Sequence, residues 1–498
     1  MSVAGLDIGS TGAKVTVLDE SGALVHTGYM NYPVARHIHT HEVDANTIWL
    51  IVKALLKDAA AAAPDLSAVG LTSFGESFVL LDRRDHVLFP VMMYTDPRGI
   101  QQSDRLSDVL GAESIANICG TMPHPMFSLP KLMWVKQEQP AVYENIRRVC
   151  LIADFAAYML TGEHVIDYSL ATRTMGFDIH TLAWNRRIFD AAEIDPNLFG
   201  SPVPSGSLVG TVRPAIAKEL GVIEDFKIVL CGHDQIAAAV GSGILAPGKA
   251  ANGAGTVECI TPVFAGVPDG TKLQKRNYSV IPFLGDGNYC CYAFSFTGGS
   301  LVDWFIKQLA GGSLFQAKTN GENVFHLLEN AAPDRPSGIL VLPHFAGAAT
   351  PYMDIGAKGA FIGLTLTHTT ADLYRAVMEG IAYESMLNLE NLAEAGVHVE
   401  AINASGGCAR SSVWLQIKAD ILGRPVTRLA NEEAGTIGSI MLANVAVGRY
   451  TSLTEAADKL VKLQRIYQPR KGMYEEYQKH YARYRKLYHA IRPLMDGI

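Results

Sequence analysis

Hydrophobic and polar positions follow two periods along this chain, and each change of period marks an element. Two apolar arms, Val3-Ala4-Gly5-Leu6-Asp7-Ile8 and Ala13-Lys14-Val15-Thr16-Val17-Leu18, flank the turn Gly9-Ser10-Thr11-Gly12. Their β-branched residues and alternation predict a hairpin. The period then lengthens, because 44–63 is rich in Ala and Leu behind a capping Asp44, and a helix is predicted there. Strand-length runs return at Val69-Gly70-Leu71-Thr72 and Phe78-Val79-Leu80-Leu81, separated by Ser73-Phe74-Gly75-Glu76-Ser77. A second break, Tyr94-Thr95-Asp96-Pro97-Arg98, follows Pro90-Val91-Met92-Met93. Helical spacing over 151–161 stops at Gly162, and 213–221 reads as a short helix. The apolar strand from Lys227 ends in Gly232-His233-Asp234-Gln235 and passes into small residues of helical character as far as Gly243.

The second half repeats this grammar. Residues 248–256 form a Gly-rich turn ahead of a strand at Val257-Glu258-Cys259-Ile260-Thr261. Phe294 to Ser300 leads into a helix over 301–309, and 343–351 is a loop. Thr369 with Asp372 forms a capping box before a long helix over 373–392. A strand over 399–405 ends in Gly406-Gly407, followed by a helix over 411–422 that Gly423 and Pro425 close. Ser452 and Glu455 box in another helix. Tyr474, Tyr477, Tyr481, Tyr484 and Tyr488 share one face of the last, which reads as a packing stripe among solvated charges rather than a nucleic-acid surface.

Composition narrows the classes. The chain has 498 residues, 48% hydrophobic and 18% charged, which suits two or three globular domains and not a disordered chain. A net charge of -7 disfavours nucleic-acid and anionic-membrane partners, while a local basic groove around phosphates stays compatible with it. The start lacks a basic region ahead of its apolar residues, and no apolar run is long enough to span a bilayer. Seven cysteines form no C-x-x-C pair, so reduced thiols and a cytosolic setting are expected. His37, His39 and His41 would share one face of a strand, yet no further ligand recurs at metal spacing, and a solvated loop is expected. The run from Gly243 to Lys249 imitates a Walker A loop, but Ala250 lacks the magnesium-binding hydroxyl and a strand follows.

Candidate chemistry sits at the breaks. Asp234 is a general base at a strand-to-helix turn, or else an N-cap that satisfies helix donors. Gly9 and Gly12 let backbone N–H groups face an anion, with Ser10, Thr11 and Lys14 as further donors. Glu76, Asp96 and Arg98 stand at strand ends, where carboxylates accept from paired hydroxyls of a polyhydroxylated ligand. A surface turn is the competing reading. The strand, diglycine and helix start around Gly407 make an anion or nucleotide seat.

Taken together these stretches resemble the FGGY carbohydrate kinases over essentially the whole chain, with the fuculokinase and xylulokinase branch as the nearest in character. The carriers are Gly5-Leu6-Asp7-Ile8-Gly9-Ser10-Thr11-Gly12-Ala13-Lys14, Gly232-His233-Asp234-Gln235-Ile236-Ala237-Ala238 and Gly255-Thr256. Gly359-Ala360-Phe361-Ile362-Gly363-Leu364, Ser405-Gly406-Gly407-Cys408-Ala409-Arg410-Ser411-Ser412 and Gly435-Thr436-Ile437-Gly438-Ser439 continue the series. The resemblance implies an α/β, two-domain actin-like (ribonuclease H-like) ATPase fold with a central cleft. An N-terminal domain over 1–243 would hold the sugar and phosphate side, and a C-terminal domain over 244–498 the nucleotide side. It implies ATP-dependent phosphorylation of a sugar hydroxyl with Mg2+. Carried over by position, Asp234 is the catalytic base. Gly75, Glu76, Asp96 and Gln235 fall near the sugar, and Asp7 near the metal. Ser10, Thr11 and Lys14 fall near the terminal phosphates, and Gly255, Thr256, Gly299, Asp303, Gly407 and Ser411 at the nucleotide.

The chain departs from glycerol kinases, which carry an arginine where Gly75 stands and an aromatic where Met126 falls. The missing arginine is expected to leave room for a longer sugar, so the reading leans to a ketose of pentulose or deoxyhexulose type. The alternatives are a polyol kinase of erythritol or glycerol type, and a non-catalytic actin-like ATP-binding protein. A dinucleotide oxidoreductase is disfavoured, because the first Gly-rich loop opens a strand rather than a helix. Expected partners are the sugar and ATP, without nucleic acid or membrane, and a homodimer is the assembly this reading allows.

Overall fold

The computed structural model describes residues 1–268 and 270–497. Among these, two mixed sheets of six and eight strands organise the chain. The first has the spatial order Ser207–Thr211, Lys227–His233, Leu66–Ser73, Ser2–Ile8, Gly12–Leu18, Leu24–Asn31. The three strands Ser2–Ile8, Leu66–Ser73 and Lys227–His233 run parallel, and both edges are closed by antiparallel pairing. In the second sheet the hairpin Lys249–Ala254 and Glu258–Ala265 is continued in parallel by Ala401–Ser405 and Val426–Leu429. Both halves thus open on a hairpin whose first strand heads a parallel trio. Parallel trios point their carboxyl ends the same way, which is where α/β sheets collect ligand-binding side chains.

The strands form because they are apolar on both faces. Val3, Ala4, Leu6 and Ile8 are sealed in the first core, as are Ile228, Val229 and Leu230. The first helix, Ala45–Ala62, is capped by Asp44, whose carboxylate accepts from the Asn46 N–H, and Gly162 ends Ile152–Thr161 in the left-handed region. The Thr369/Asp372 capping box starts the helix Thr370–Glu394 in both directions. Tyr477, Tyr481 and Tyr484 of the helix Lys471–Ile491 are buried, with hydroxyls donating to Glu379, Glu390 and Glu384. That is the packing stripe.

One local expectation is corrected, and two others are met with small adjustments. Lys249–Ala254 is a strand, so the Gly-rich turn shrinks to Gly255-Thr256-Val257. A single 3-10 turn, Gly407–Arg410, separates the diglycine from the helix Ser412–Leu422. His37 closes a turn with Thr40 ahead of the short strand His41–Val43, so His37 and His39 lie in the exposed loop that was expected.

Among the contacts that tie the halves together is a glycine-lined helix crossing. The helix Ala434–Ala446, from the second half, lies across the strands Ser2–Ile8 and Leu66–Ser73 and against the helix Asp234–Gly241. A Cβ at Gly438 would stand 1.8 Å from the Ala237 carbonyl oxygen, and one at Gly241 1.9 Å from that of Ala434. The helices meet backbone to backbone, which only glycine at the crossing permits.

Candidate active site

The parallel trio of the first sheet delivers Asp7, Phe74 and His233 to one edge. Gly232 turns that edge with φ +84°, and a Cβ there would lie 2.7 Å from both Asp167 Oδ1 and Ser169 Oγ. The His233 N–H donates to Ser169 Oγ at 2.9 Å, which locks the turn. His233 is the N-cap, its Nδ1 accepting from the Gln235 N–H, so Asp234 is the first residue of the helix Asp234–Gly241. The capping explanation for Asp234 therefore fails, since its neighbour does that work.

Asp234 Oδ1 has no hydrogen-bond partner, although His233 Nδ1 stands 2.9 Å away. The side chain keeps 28% of its surface open. Burial pushes this carboxyl up, but the His233 ring and Gln235 outweigh it and hold the group below the usual carboxylate range. Asp7 behaves oppositely: burial and the charge of Asp234 push it up to about 7, against the pull of Lys14. Asp7 Oδ1 is likewise buried without a partner. Two neighbouring carboxylates, each with an orphaned oxygen, form a hard-oxygen donor set that fits a hydrated divalent cation bridging to phosphate. Lys14, on the strand after the hairpin turn, pairs with Glu433 at 2.6 Å, while Ser10 and Thr11 stand in the turn itself.

On the sugar side Glu76 adopts φ +64° and is 5% exposed. Ser128 Oγ donates to its carbonyl at 2.7 Å, and Arg173 Nε donates to its Oε1 at 2.5 Å. The Arg173 guanidinium lies 4.9 Å from the Phe127 ring and 5.8 Å from the Tyr292 ring. Tyr94 has its phenol pushed up by burial and by the charges of Glu76 and Asp234, with Ser10 as its hydrogen-bond neighbour. His124 is exposed at the rim of this region, its ring driven down to about 4 by partial desolvation and by Lys131, and so neutral. Gln235 Oε1 lies at 3.5 Å from Thr261 Oγ1, across the boundary between the halves.

Two sugar-side expectations change. A Cβ on Gly75 would meet Arg173 Cγ at 2.7 Å and His233 Cδ2 at 2.9 Å. The room at Gly75 is filled by protein and is not left for a longer sugar. Asp96 is sealed, its side chain showing no exposed surface. It accepts from the Arg98 N–H and Nε through Oδ1, and from the His41 N–H and Arg98 Nη2 through Oδ2. With both oxygens doubly satisfied, Asp96 braces the loop and has no lone pair free for a hydroxyl. Arg173, Tyr94, His233 and Tyr292 are the residues that pattern reading passed over. Tyr94 lay in a break already singled out, but nothing local ties it or Arg173 to Glu76.

Where the nucleotide side was expected, the second half has a cavity of about 850 Å3. Gly255, Thr256, Gly299, Asp303, Gly407 and Ser411 all line it, as do Trp304, Tyr374 and Trp414. Gly299 must be glycine because a Cβ would meet the Gly255 carbonyl oxygen and Cys408 Sγ at 2.8 Å. A Cβ on Gly407 would meet nothing within 4 Å, so this residue opens onto the cavity. Ser411 Oγ accepts from the Trp414 N–H at 3.0 Å and caps its helix.

Two mixed α/β sheets, each led by a hairpin with a glycine turn, define a two-domain actin-like ATPase fold. Sequence comparison then places the chain. The N-terminal domain of the FGGY family of carbohydrate kinases matches residues 2–241 and the C-terminal domain matches residues 267–447. The chain belongs to the FGGY family of carbohydrate kinases, phosphotransferases with an alcohol group as acceptor and ATP as donor. It is 28% identical over 499 residues to a xylulose kinase of Escherichia coli strain K12, covering 99% of each chain. It is 26% identical over 463 residues to a gluconokinase of Bacillus subtilis strain 168, covering 92% of this chain and 90% of that one. The structure of a xylulose kinase from Rhodospirillum rubrum superposes with a TM-score of 0.89 at 26% identity, covering 99% of this chain and 100% of that one. Among the described residues no helix is long and apolar enough to cross a membrane.

Proposed function

We propose that this kinase phosphorylates a ketose of pentulose or deoxyhexulose type, with Asp234 as general base. The observation that carries the reading is the placing of Asp234 as first residue of a helix at the carboxyl end of the parallel trio, with 28% of its side chain open and its carboxyl held below the usual range and therefore ionised at neutral pH. A hydroxyl of the sugar gives its proton to the open side of this carboxylate as it attacks the terminal phosphorus of ATP, and ADP leaves with the electron pair of the broken P–O bond. Asp7 would hold Mg2+, which neutralises charge on the phosphates when bound. Ser10, Thr11 and backbone N–H groups of the hairpin turn face the transferred phosphoryl, and Gly407 with Gly255 and Thr256 seats the nucleotide. Lys14 reaches phosphate only by releasing Glu433.

Several polar groups converge on the acceptor side, among them Glu76, Tyr94, His124 and Gln235. A three-carbon substrate would leave part of that set unpaired, which favours a longer one. Similarity to xylulose kinases along the whole chain supports the same choice. Every side chain used here comes from one chain, and the boundary between the domains is assigned to 243/244, past the helix Asp234–Gly241. A cytosolic location follows from the need for MgATP.

The test is a side-by-side steady-state assay of ADP release on glycerol, erythritol, xylulose, ribulose, fuculose and gluconate at fixed MgATP. The best ketose should exceed glycerol by at least ~10²-fold in kcat/KM. Glycerol or gluconate as the best substrate would overturn the ketose reading.

A further inference from the structure

Lys131 is a buried charge on the sugar side that the mechanism above leaves unused. It stands in the first turn of the helix Ser128–Glu138 and is 0% exposed. A cation there is doubly unfavourable, cut off from water and set at the positive end of a helix. Its three hydrogen-bond partners are all backbone carbonyls: Pro125 at 2.7 Å, Asp96 at 3.1 Å and Met126 at 3.3 Å. They belong to two irregular segments that bracket the sugar side. One is the strap 94–98, which carries Tyr94. The other is the loop 124–127, whose Phe127 ring lies against Arg173 and which leads into Ser128, the donor to the Glu76 carbonyl. An ammonium has three N–H donors and no acceptor, so donors and carbonyls match in number only while the proton is on. A neutral amine would keep two donors and turn a lone pair towards the third carbonyl. The charges that face Lys131 are Asp96 and Glu76, which favour its proton, and Arg98, which opposes it, with the neutral His124 ring alongside. Burial outweighs the two acids and brings the ammonium down to about 8.

We propose that Lys131 is a positioning residue for the sugar, whose charged ammonium fixes the strap 94–98 against the loop 124–127, and that loss of its proton loosens the sugar seat while sparing the nucleotide seat. This rests on the reading above that places the acceptor beside Glu76, Tyr94 and His124, and adds a titration to it. Buried backbone carbonyls need donors, and when one of the three loses its donor the two segments are no longer held at one spacing. None of these residues lines the cavity of the second half. Lys131 is charged below about 8 and neutral above it, so sugar affinity falls as pH rises through that value. Stability moves the other way. An unfolded lysine keeps its proton to about 10.5, so between about 8 and 10.5 the unfolded chain binds more protons and this group makes the fold more stable as pH rises. A loss of sugar affinity in that window is therefore not unfolding driven by Lys131.

The experiment measures dissociation constants by calorimetry from about pH 6.5 to about pH 9.5, for ATP and for the sugar of the panel above with the highest kcat/KM, xylulose on the ketose reading. In the wild type the sugar constant should stay level to about 8 and then rise by about 10-fold per pH unit, as one required proton demands, with the ATP constant level. Lys131→Arg stays charged throughout and should keep the sugar constant level with pH. Lys131→Met fills similar space without a donor, and should bind sugar about 10- to 100-fold more weakly at neutral pH with no further rise above it. The wild-type profile decides even where a variant folds poorly. A level sugar constant in the wild type, or a rise that either variant keeps, would overturn the inference. Equal losses of sugar and ATP would do the same, marking a merely structural lysine. Glu76→Gln separates this from the reading beneath it. Weaker sugar binding in that variant beside a level wild-type profile removes only the titration, whereas unchanged sugar binding would take the sugar away from this side and both conclusions with it.

Discussion

Each half of the molecule buries charge beneath its parallel trio, and the two halves treat that charge differently. In the second half Lys418 Nζ donates to Asn252 Oδ1 at 2.7 Å and to Glu258 Oε2 at 2.8 Å, and Ser385 Oγ closes Glu258 Oε1 at 2.9 Å. Lys418 and Glu258 side chains are 2% and 4% exposed, and each charge has an opposite one in contact. In the first half Asp7 and Asp234 stand side by side with the same sign, and each keeps an oxygen without a partner. The folds are alike, so the difference is not a matter of architecture. A balanced buried charge is part of the scaffold; an unbalanced one is held in place by the scaffold for something that arrives later. The family assignment puts the chemistry on the unbalanced side.

The comparison breaks most sharply at Asp234. Asp234→Asn should lower turnover by about 10²–10⁴-fold on the best substrate, while nucleotide affinity and melting temperature hold. Stopped-time assays of ADP release check this, and near-wild-type turnover would remove the base from Asp234. On the balanced side the expected loss is one of stability. Lys418→Met strands Glu258 and should cost about 3–5 kcal/mol in urea unfolding, with much of it recovered by a second change, Glu258→Gln.

A third substitution probes the cavity of the second half. Gly407→Val meets no protein atom, so folding should be spared. Its side chain projects into the nucleotide seat, and ATP affinity by calorimetry should fall on the order of 10- to 100-fold, the cost of overfilling a fitted pocket. Loss of sugar and ATP binding together would point to misfolding instead. The smallest effect concerns Asp7. In the folded, ligand-free chain its proton stays to about 7, while an unfolded aspartate releases it near 4. The folded state then binds more protons across that window, so this group makes stability fall as pH rises from about 4 to about 7. Asp7→Asn should remove that slope and raise the melting temperature at pH 8 by roughly 2–4 °C. An unchanged pH dependence in thermal melts would show that Asp7 is not strained by Asp234.

Much of the architecture was legible because it is local. A cap and its helix lie within four residues, as Thr369 and Asp372 show, and strand alternation needs no partner to be seen. The first hairpin and the helix after Asp44 both follow from such short-range chemistry. Misreadings occurred where a neighbour in space decided the outcome. Residues 249–254 are mostly small and not β-branched, yet they are a strand because Ala401–Ser405 pairs alongside.

The candidate site divides in the same way. Sequence alone determined that an acid stands at the mouth of a helix after a buried strand, that glycine turns lead both halves, and that Gly407 follows a strand end. It could not determine which acids are free. Asp96 and Asp234 are both acids at strand ends, but Asp96 is sealed by His41, 55 residues away, together with its neighbour Arg98. Gly75 suggests space in any local reading, and only the approach of Arg173 from 97 residues away fills it. Hydrogen-bond satisfaction depends on every group within about 3 Å, and in a buried cleft those groups come from distant parts of the chain. The tertiary structure decided which carboxylates are occupied, and with that where the chemistry can take place.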